Sequence, residues 1–215
     1  MNISPGSQIV VAITQRIDNV AGRAELRDAL DQSLVQWVIQ AGFLPLAVPN
    51  ILLGGGDLGE PTLEDWLQAM HPGALILSGG NDIGEHSARD LTEGFLLSWA
   101  EAKRVPVLGI CRGLQMMAVW AGADLVKKVG HVGSRHQLHV SSQQEEWPVN
   151  VNSFHNWGLA SCPAGFEVAA QAEDGTIEAI KHIELPWEGW MWHPEREAPF
   201  SPPDTTRLKE LFSGQ

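Results

Sequence analysis

The sequence predicts an α/β fold in which a mainly parallel sheet is covered by helices on both faces. Short apolar runs alternate with longer amphipathic segments through the first half of the 215-residue chain, and this order predicts parallel strands joined by crossover helices. The second half changes to short strand patterns, which predict a small mixed or antiparallel extension. No linker or repeat divides the chain, so residues 1–215 are predicted to form a single domain.

The strands and helices of the first half follow each other in alternation. Four apolar runs predict strands over residues 8–14, 44–48, 74–77 and 105–110. Helices are predicted over residues 24–41, 62–70, 90–103 and 113–121. The first helix is predicted from apolar residues that share one face: Leu26, Leu30, Leu34, Trp37, Val38 and Ala41.

Capping residues and loop-forming glycines support these predicted elements. Thr62 is the expected N-cap of the second helix, with Asp65 three residues later. Before it, clustered glycines predict a loop, made by Gly54, Gly55, Gly56 and Gly59. The remaining pattern predicts strands over residues 138–142, 147–151, 167–172, 176–182 and 190–193, followed by a last helix over residues 204–212.

Composition excludes several classes of function. The chain has 14 Lys and Arg against 26 Asp and Glu, a formal charge of −12, which argues against binding to nucleic acid. No signal peptide or 18-residue apolar span is present, so no membrane partner is expected. Two cysteines are too few for a disulfide framework. A reducing, cytoplasmic location is therefore expected.

A cysteine flanked by glycines lies where the fourth predicted strand meets the next helix. The segment Gly109-Ile110-Cys111-Arg112-Gly113 is typical of a sharp strand-to-helix turn that exposes the side chain at its tip. A thiol there lies at a helix N-terminus, whose partial positive charge favours the thiolate. A buried structural cysteine is the alternative. Because of the flanking glycines, we predict that Cys111 is a nucleophile.

A histidine and a glutamate near the C-terminus supply the partners that such a nucleophile needs. A thiolate requires a general base, and the base requires a group that orients it. In Trp192-His193-Pro194-Glu195, alternate residues of an extended strand face the same way, so His193 and Glu195 can lie together. An exposed histidine before a proline turn is the alternative. Together with Cys111, the segment predicts a catalytic triad.

A glycine-containing loop follows the third predicted strand. Ser78-Gly79-Gly80-Asn81-Asp82 lies at the carboxyl edge of the predicted sheet, where a backbone N–H can stabilise a developing oxyanion. We predict that the N–H groups of Gly80 and Arg112 form this oxyanion hole. Considered alone, the loop is explained equally well as a tight turn that requires a positive φ.

The three motifs together resemble the class I glutamine amidotransferase superfamily and, within it, the stand-alone γ-glutamyl hydrolases. They occur in the same order across nearly the whole chain, and residues 41–46 and 177–180 are also similar to that group. The resemblance implies a flavodoxin-like sandwich. It also implies a hydrolase that cleaves a γ-glutamyl amide through a cysteine thioester and needs no metal or organic cofactor.

The resemblance implies a role for each site residue. Cys111 attacks the γ-carbonyl, His193 transfers the proton and Glu195 orients His193. Gln115 corresponds to a glutamine that contacts the γ-glutamyl group. A further loop corresponds to one that holds the glutamate α-carboxylate and amine, through Asn152, Ser153 and His155.

The chain departs from the superfamily pattern in the oxyanion loop. Many amidotransferases have Gly-Gly-Pro-Gly there, whereas this chain has Asn81 and Asp82 after the two glycines. The geometry of the loop, and with it the assignment of the oxyanion donors, is therefore open at the level of the sequence.

Four further segments narrow the resemblance: residues 13–16, 24–30, 152–156 and 192–197. They imply that the substrate is γ-glutamyl-CDP-amidate, which yields glutamate and cytidine diphosphoramidate for the phosphoramidate modification of capsular polysaccharide. Hydrolysis of γ-glutamyl amines such as γ-glutamyl-γ-aminobutyrate is one alternative. A glutaminase subunit that feeds a synthetase and an inactive binding module are two others. The expected partner is the small-molecule substrate, and a homodimer is left open.

Arginines near the predicted site are candidates for binding a diphosphate. Arg16 follows the first strand at the ligand-binding edge of the sheet, and its planar guanidinium matches phosphate oxygens. Ordinary surface solvation is the alternative. Three other arginines are weaker candidates: Arg27, Arg112 and Arg135.

Histidines and tryptophans offer two more candidate sites. His131, His136 and His139 lie close in sequence, but no nearby carboxylate completes a familiar zinc spacing, so no metal site is predicted. Trp157 is a candidate for stacking on a base. Three other tryptophans are predicted to pack in the core: Trp187, Trp190 and Trp192.

Overall fold

A computed structural model describes residues 8–54, 62–142 and 146–214. Of the predicted glycine-rich loop, Gly55, Gly56 and Gly59 lie outside these ranges. Within them, no helix combines the length and the apolar character that crossing a membrane requires.

The strands of the described ranges are numbered in chain order. They are β1 (Val10–Thr14), β2 (Arg16–Asn19), β3 (Leu26–Ala29), β4 (Leu44–Val48), β5 (Ala74–Leu77), β6 (Val107–Ile110), β7 (Leu125–Lys127), β8 (Val132–Gln137), β9 (His139–Val140), β10 (Asn150–Phe154), β11 (Trp157–Leu159), β12 (Phe166–Gln171), β13 (Ile177–His182) and β14 (Trp187–Trp190). The helices are α1 (Gln32–Gln40), α2 (Leu63–Met70), α3 (Ser87–Lys103), α4 (Arg112–Trp120) and α5 (Pro202–Ser213).

Eight strands form a central sheet in the order β4-β1-β5-β6-β14-β13-β12-β9. The first five pair in parallel, and β13, β12 and β9 extend the sheet in antiparallel fashion. This arrangement confirms the predicted sheet with its extension. Three two-stranded pairs lie beside it: β2 with β3, β7 with β11, and β8 with β10.

Both faces of the sheet are covered by helices, because successive residues of the buried strands point to opposite sides. In β1, Val11 and Ile13 join the cluster that contains residues of α1 and α5, whereas Ala12 joins the cluster that contains residues of α2, α3 and α4. The predicted α/β sandwich is therefore confirmed.

The first predicted helix is wrong over its first turns. Residues 26–29 form β3, which pairs with β2, and α1 begins only after Asp31, whose carboxylate accepts a hydrogen bond from the Ser33 N–H at 2.8 Å. Leu26 had matched the helical period, but 64% of it is exposed. Two leucines in phase with α1, Leu26 and Leu30, thus extended the helical pattern beyond the N-cap.

Several predicted strand ends also differ from the structure. The last strand ends at Trp190, so His193 lies beyond it. The strand predicted over residues 147–151 is displaced to β10, because pairing with β8 begins at Asn150, although Trp147 is buried in the core as its apolar character suggests. The capping box of Thr62 and Asp65 is confirmed.

Candidate active site

Cys111 lies at a sharp turn between β6 and α4, as predicted. Its φ of 51° and ψ of −102° are strained values for a residue with a side chain. The Cys111 N–H donates to the carbonyl of Trp190 at 2.7 Å, which ties the turn to β14. A thiol at this point faces the first turn of α4, whose N–H groups have no partners within the helix.

The flanking glycines are required by close packing of the turn. A Cβ added at Gly113 would lie 2.0 Å from the Leu77 carbonyl oxygen. One added at Gly109 would lie 2.6 Å from the carbonyl carbon of Gly113. Because the contacts are with backbone, no side chain fits at either position without moving β5 or α4.

His193 and Glu195 lie side by side, but a turn and not a strand brings them together. His193 precedes a 3-10 helix, Pro194–Arg196, and its Nδ1 lies 2.6 Å from Oε1 of Glu195. Asn152 holds the backbone of His193 from both sides. Its Oδ1 accepts from the His193 N–H at 3.0 Å and its Nδ2 donates to the His193 carbonyl at 2.8 Å.

The interactions of His193 with Cys111 and Glu195 make its imidazole more basic than a free histidine. Burial alone lowers the pKa of His193, but hydrogen bonds with Cys111 and Glu195, together with the charges of both, raise the pKa to about 9. The structure thus brings the three predicted triad residues into one hydrogen-bonded set. Because this pKa lies above 7, the imidazole is protonated at neutral pH.

The loop after β5 presses closely against the histidine. A Cβ added at Gly79 would lie 2.7 Å from Cε1 of His193, and Gly80 has a φ of 120° that favours glycine. Arg89 donates from Nη2 to the carbonyls of Ser78 at 2.7 Å and Gly79 at 3.0 Å. In a trans peptide the C=O and N–H point in opposite directions, so the Gly80 N–H is directed away from Arg89.

The residues that depart from the superfamily pattern are firmly held. The Asn81 side chain pairs with the backbone of Ile17, accepting from its N–H at 2.9 Å and donating to its carbonyl at 3.0 Å. Asp82 accepts from the indole N–H of Trp157 at 3.1 Å. Asn81 and Asp82 therefore fix the loop to β2 and β11, at the positions where many amidotransferases have proline and glycine.

A buried charge network behind the loop was not predicted. Arg89 donates to Glu93 at 3.0 Å, and the Arg112 guanidinium contacts both Glu93 and Asp90. The Thr14 hydroxyl donates to Glu93 at 2.8 Å. The spacing of four between Arg89 and Glu93 on a helix was the available sequence pattern. Because its side chain is committed here, Arg112 is not a diphosphate ligand in this structure.

The predicted substrate-binding residues are mostly committed to protein partners. Gln115 is buried and donates to the carbonyl of Trp157 at 3.0 Å. Ser153 is fully buried and donates to the His131 carbonyl at 2.7 Å. The side chains of Asn152 and Ser153 are thus both engaged with backbone groups of the protein, and their contact with a substrate stays a prediction.

His155 is likewise turned away from the predicted role. It is buried, and its ring joins His131, His136 and Glu178 in a group of side chains that could hold a metal ion. The contact of His155 with the glutamate part of a substrate stays a prediction. His139, the third histidine considered from the sequence, is exposed on β9 and is not part of this group.

Arg16 is the predicted binding residue that faces a cleft. The cleft lies beside the histidine and is lined in part by Arg16, Ser78, Gly80, His193 and Arg196. The Arg16 side chain is half exposed and pairs with Asp18 at 2.7 Å. Its position at the carboxyl end of the parallel strands is the position expected of a ligand-binding residue.

The remaining candidates from the sequence have clear places. Trp187, Trp190 and Trp192 are buried, which confirms their predicted core role. Trp157 lies at intermediate exposure, with the Lys127 ammonium 5.4 Å from its ring centroid.

Comparison with known proteins identifies relatives over most of the chain. The family model for Peptidase C26 matches residues 9–195. A γ-glutamyl-CDP-amidate hydrolase from Campylobacter jejuni is 36% identical over 146 residues, which is 65% of this chain and 70% of that one. A γ-glutamyl-γ-aminobutyrate hydrolase from Shigella flexneri is 25% identical over 224 residues, covering 86% and 85%.

A solved structure shares the fold. A glutamine amidotransferase from Thermotoga maritima superimposes with a TM-score of 0.63, covering 97% of this chain and 84% of the other at 17% sequence identity. At this identity the likeness concerns the fold alone, and it agrees with the predicted flavodoxin-like sandwich.

Proposed function

Because the chain belongs to the Peptidase C26 family, we propose that it hydrolyses a γ-glutamyl amide bond through a thioester on Cys111. Membership confirms the resemblance inferred from the three motifs and the expected hydrolase class. The observation that carries the proposal is the contact of His193 with both Cys111 and Glu195.

The first stage is attack by the Cys111 thiolate on the γ-carbonyl carbon. A bond forms between sulfur and carbon, and the carbonyl oxygen gains the negative charge. The Gly80 N–H and the N–H of Arg112 at the start of α4 are the proposed donors to this oxyanion. Two features support this assignment. The Gly80 N–H points away from Arg89, and the first N–H of a helix has no acceptor within the helix.

The second stage expels the amine and then restores the enzyme. As the C–N bond breaks, protonated His193 gives its Nε2 proton to the leaving nitrogen. The neutral imidazole then takes a proton from water, which attacks the thioester, and the C–S bond breaks to release glutamate and the thiolate. Glu195 orients the ring and stabilises its protonated form throughout.

The decisive experiment compares the two cysteines. Cys111→Ala is expected to reduce turnover of a γ-glutamyl amide by about a thousandfold or more. Cys162→Ala is the matched control. The Cys162 thiol donates to the Phe166 carbonyl at 3.3 Å and contacts no triad residue, so its variant should keep full activity. With a slowly deacylating substrate, mass spectrometry should find one glutamyl group on wild type and none on Cys111→Ala. Normal turnover by Cys111→Ala would overturn the proposal.

The narrower proposal is that the substrate is γ-glutamyl-CDP-amidate, and that the product cytidine diphosphoramidate serves capsular polysaccharide modification. Its support is the similarity to the Campylobacter jejuni enzyme of that name and the placing of Arg16 at the cleft beside His193. The relative from Shigella flexneri covers more of the chain at lower identity, which makes γ-glutamyl-γ-aminobutyrate the competing substrate.

A substrate panel with an arginine control separates the two. Wild type is compared on γ-glutamyl-CDP-amidate, γ-glutamyl-γ-aminobutyrate and glutamine, each without a partner protein. If Arg16 binds the diphosphate, Arg16→Ala should raise KM for the nucleotide substrate about tenfold or more and leave the amine substrate unaffected. Arg27→Ala removes a similarly exposed arginine paired with Glu25 and should change neither. Preferential turnover of the amine by wild type would refute the nucleotide assignment.

A further inference from the structure

Four side chains, three of them buried and one half-buried, converge from separate segments in a cluster that contains no member of the triad. Two lie on or just before β8, one follows β10 and one is on β13. Their ligand atoms all lie within 4.8 Å of one another: His131, His136, His155 and Glu178. Three imidazoles around one carboxylate form a donor set that suits zinc and similar metal ions.

Two distances between ligand atoms of the cluster match those expected around a small tetrahedral metal ion. His155 Nε2 lies 3.4 Å from Oε1 of Glu178, and His131 Nδ1 lies 3.6 Å from the same oxygen. Ligands at about 2.0–2.2 Å from a tetrahedral ion are separated from each other by about 3.3–3.6 Å. These two separations therefore equal edges of a coordination tetrahedron, although no hydrogen bond joins the atoms.

The inward-facing atoms of the cluster have no hydrogen-bond partners. This holds for Nδ1 of His131, Nε2 of His136, Nε2 of His155 and both carboxylate oxygens of Glu178, all of which are shielded from solvent. A buried carboxylate that accepts no hydrogen bond is costly. A cation at the centre of the cluster would satisfy all four side chains at once.

The outward-facing nitrogens of two of the rings are fixed as metal-binding histidines require. His155 Nδ1 donates to the Trp157 carbonyl at 2.9 Å, and because a carbonyl only accepts, Nε2 keeps its lone pair for the cluster. His131 Nε2 contacts Asp174 at 3.1 Å, which leaves Nδ1 free to coordinate. Asp174 is itself held by the Thr176 N–H at 2.9 Å. Such outer partners orient the imidazoles of metal sites and set their tautomers.

We propose that this cluster is a structural site for a divalent transition metal ion, with Zn²⁺ as the expected ion and these ligands: His131, His136, His155 and Glu178. Four protein ligands leave no position open for substrate or a reactive water, so the site is closed and does not take part in the chemistry. The carboxylate that the sequence spacing failed to supply comes from β13, far along the chain.

The metal would brace the strands that hold the catalytic histidine. The His155 N–H donates to the His131 carbonyl at 2.9 Å, and the Ser153 hydroxyl donates to the same carbonyl at 2.7 Å. Asn152, on the same strand as Ser153, clamps the His193 backbone. One ion therefore ties the β8–β10 pair to the central sheet at β13, next to the strand that positions His193.

The test measures bound metal in the Cys111→Ala protein, because a thiolate–imidazole pair can itself bind zinc. After chelator treatment, incubation with Zn²⁺ and desalting, about one equivalent is expected by mass spectrometry of the metal. Co²⁺ in its place should give the visible absorption of a tetrahedral site. Zn²⁺ should raise the unfolding midpoint by about 5 °C or more.

Matched variants locate the ion. Glu178→Gln keeps the shape of the side chain and should lower the metal content below about a fifth of an equivalent. His136 is less buried than the other three ligands, and His136→Gln should lower the metal content to the same extent. His139→Gln removes a histidine three positions from His136 and should keep one equivalent. No bound Zn²⁺ and no thermal shift in the Cys111→Ala protein would overturn the proposal, as would equal loss of metal in the His139 variant. Neither outcome depends on turnover, so this proposal and the proposed function fail separately.

Discussion

Replacing Glu195 by Gln tests the electrostatic core of the site. The substitution removes the negative charge 2.6 Å from Nδ1 of His193 but leaves a carbonyl oxygen that can still accept from the ring. Orientation is retained, whereas the stabilisation of the protonated imidazole by charge is lost. We therefore expect the pKa of His193 to fall, and the activity to fall less than in His193→Ala.

The magnitude follows from the environment of the ring. The pKa of His193 rises from 6.5 to about 9 although burial alone would lower it. This difference corresponds to about 3 kcal/mol in favour of the protonated form. An opposite charge in contact accounts for about 1–3 pKa units, so Glu195→Gln should bring the pKa of His193 from about 9 to roughly 6–8. We expect kcat/KM to fall by about 10- to 100-fold, against about a thousandfold or more for His193→Ala.

The assay is a pH titration followed by NMR with histidines labelled at Cε1, in which the His193→Ala spectrum assigns the resonance. Glu197→Gln is the matched control. Glu197 contacts Asn152 and Arg135 but not the imidazole, so its variant should titrate close to wild type. If Glu195→Gln and wild type share one midpoint, the carboxylate does not stabilise the charged ring and the assigned role of Glu195 is wrong.

Two further substitutions test other parts of the structure. Gly79→Ala should lower kcat by about 100-fold or more with folding retained, because its Cβ would lie 2.7 Å from Cε1 of His193. Gly94→Ala is the control, since its Cβ would meet only one side-chain atom, at 3.7 Å. It should stay active, and its free energy of unfolding in urea should rise by about 0.5–1 kcal/mol. Asp204 has its pKa raised to about 7 by burial, from 3.8. The protonated Asp204 carboxyl therefore contributes its full stabilisation of the folded state below pH 3.8. This contribution is lost as the pH rises through about 7. Asp204→Asn, which mimics the protonated acid and can still accept from Trp192, should raise the free energy of unfolding at pH 8 by about 2–4 kcal/mol relative to wild type. Equal stabilities of wild type and Asp204→Asn across roughly pH 5–8 would contradict this.

The sharp turn at Cys111 could be predicted because its evidence is local. The spacing of Gly109, Cys111 and Gly113 is set by backbone contacts within a few residues and with the end of β5. The sequence also predicted that His193 and Glu195 lie together, but it attributed this to an extended strand. The chain achieves it with a 3-10 turn after β14, and a turn can place residues two apart on one side just as a strand does.

The parts that sequence patterns missed depend on pairing across long separations. Residues 26–29 form β3 only because β2 lies beside them, and no periodicity in their own sequence reveals that neighbour. The histidine–glutamate cluster is similar. His155 and Glu178 reach His131 and His136 only through the pairing of β8 with β10 and the antiparallel extension of the sheet, so spacing rules for zinc sites that assume one contiguous motif do not detect it.

Arg112, which follows Cys111, has a structural role through its side chain in addition to the role proposed for its backbone N–H. A strained residue such as Cys111 costs about 1–3 kcal/mol and persists only where the surroundings fix it. The backbone of Cys111 is bound to Trp190 on one side. On the other, the side chain of Arg112 enters the buried network with Asp90 and Glu93 on α3.

That same helix supplies Arg89, which holds the carbonyls of the oxyanion loop. Removing one member of such a buried network leaves an uncompensated charge and costs about 3–5 kcal/mol. The turn at Cys111 and the loop after β5 are therefore anchored to a common element, α3. The distance between the thiolate and the proposed oxyanion donors is set by one rigid helix and does not depend on two independent loops.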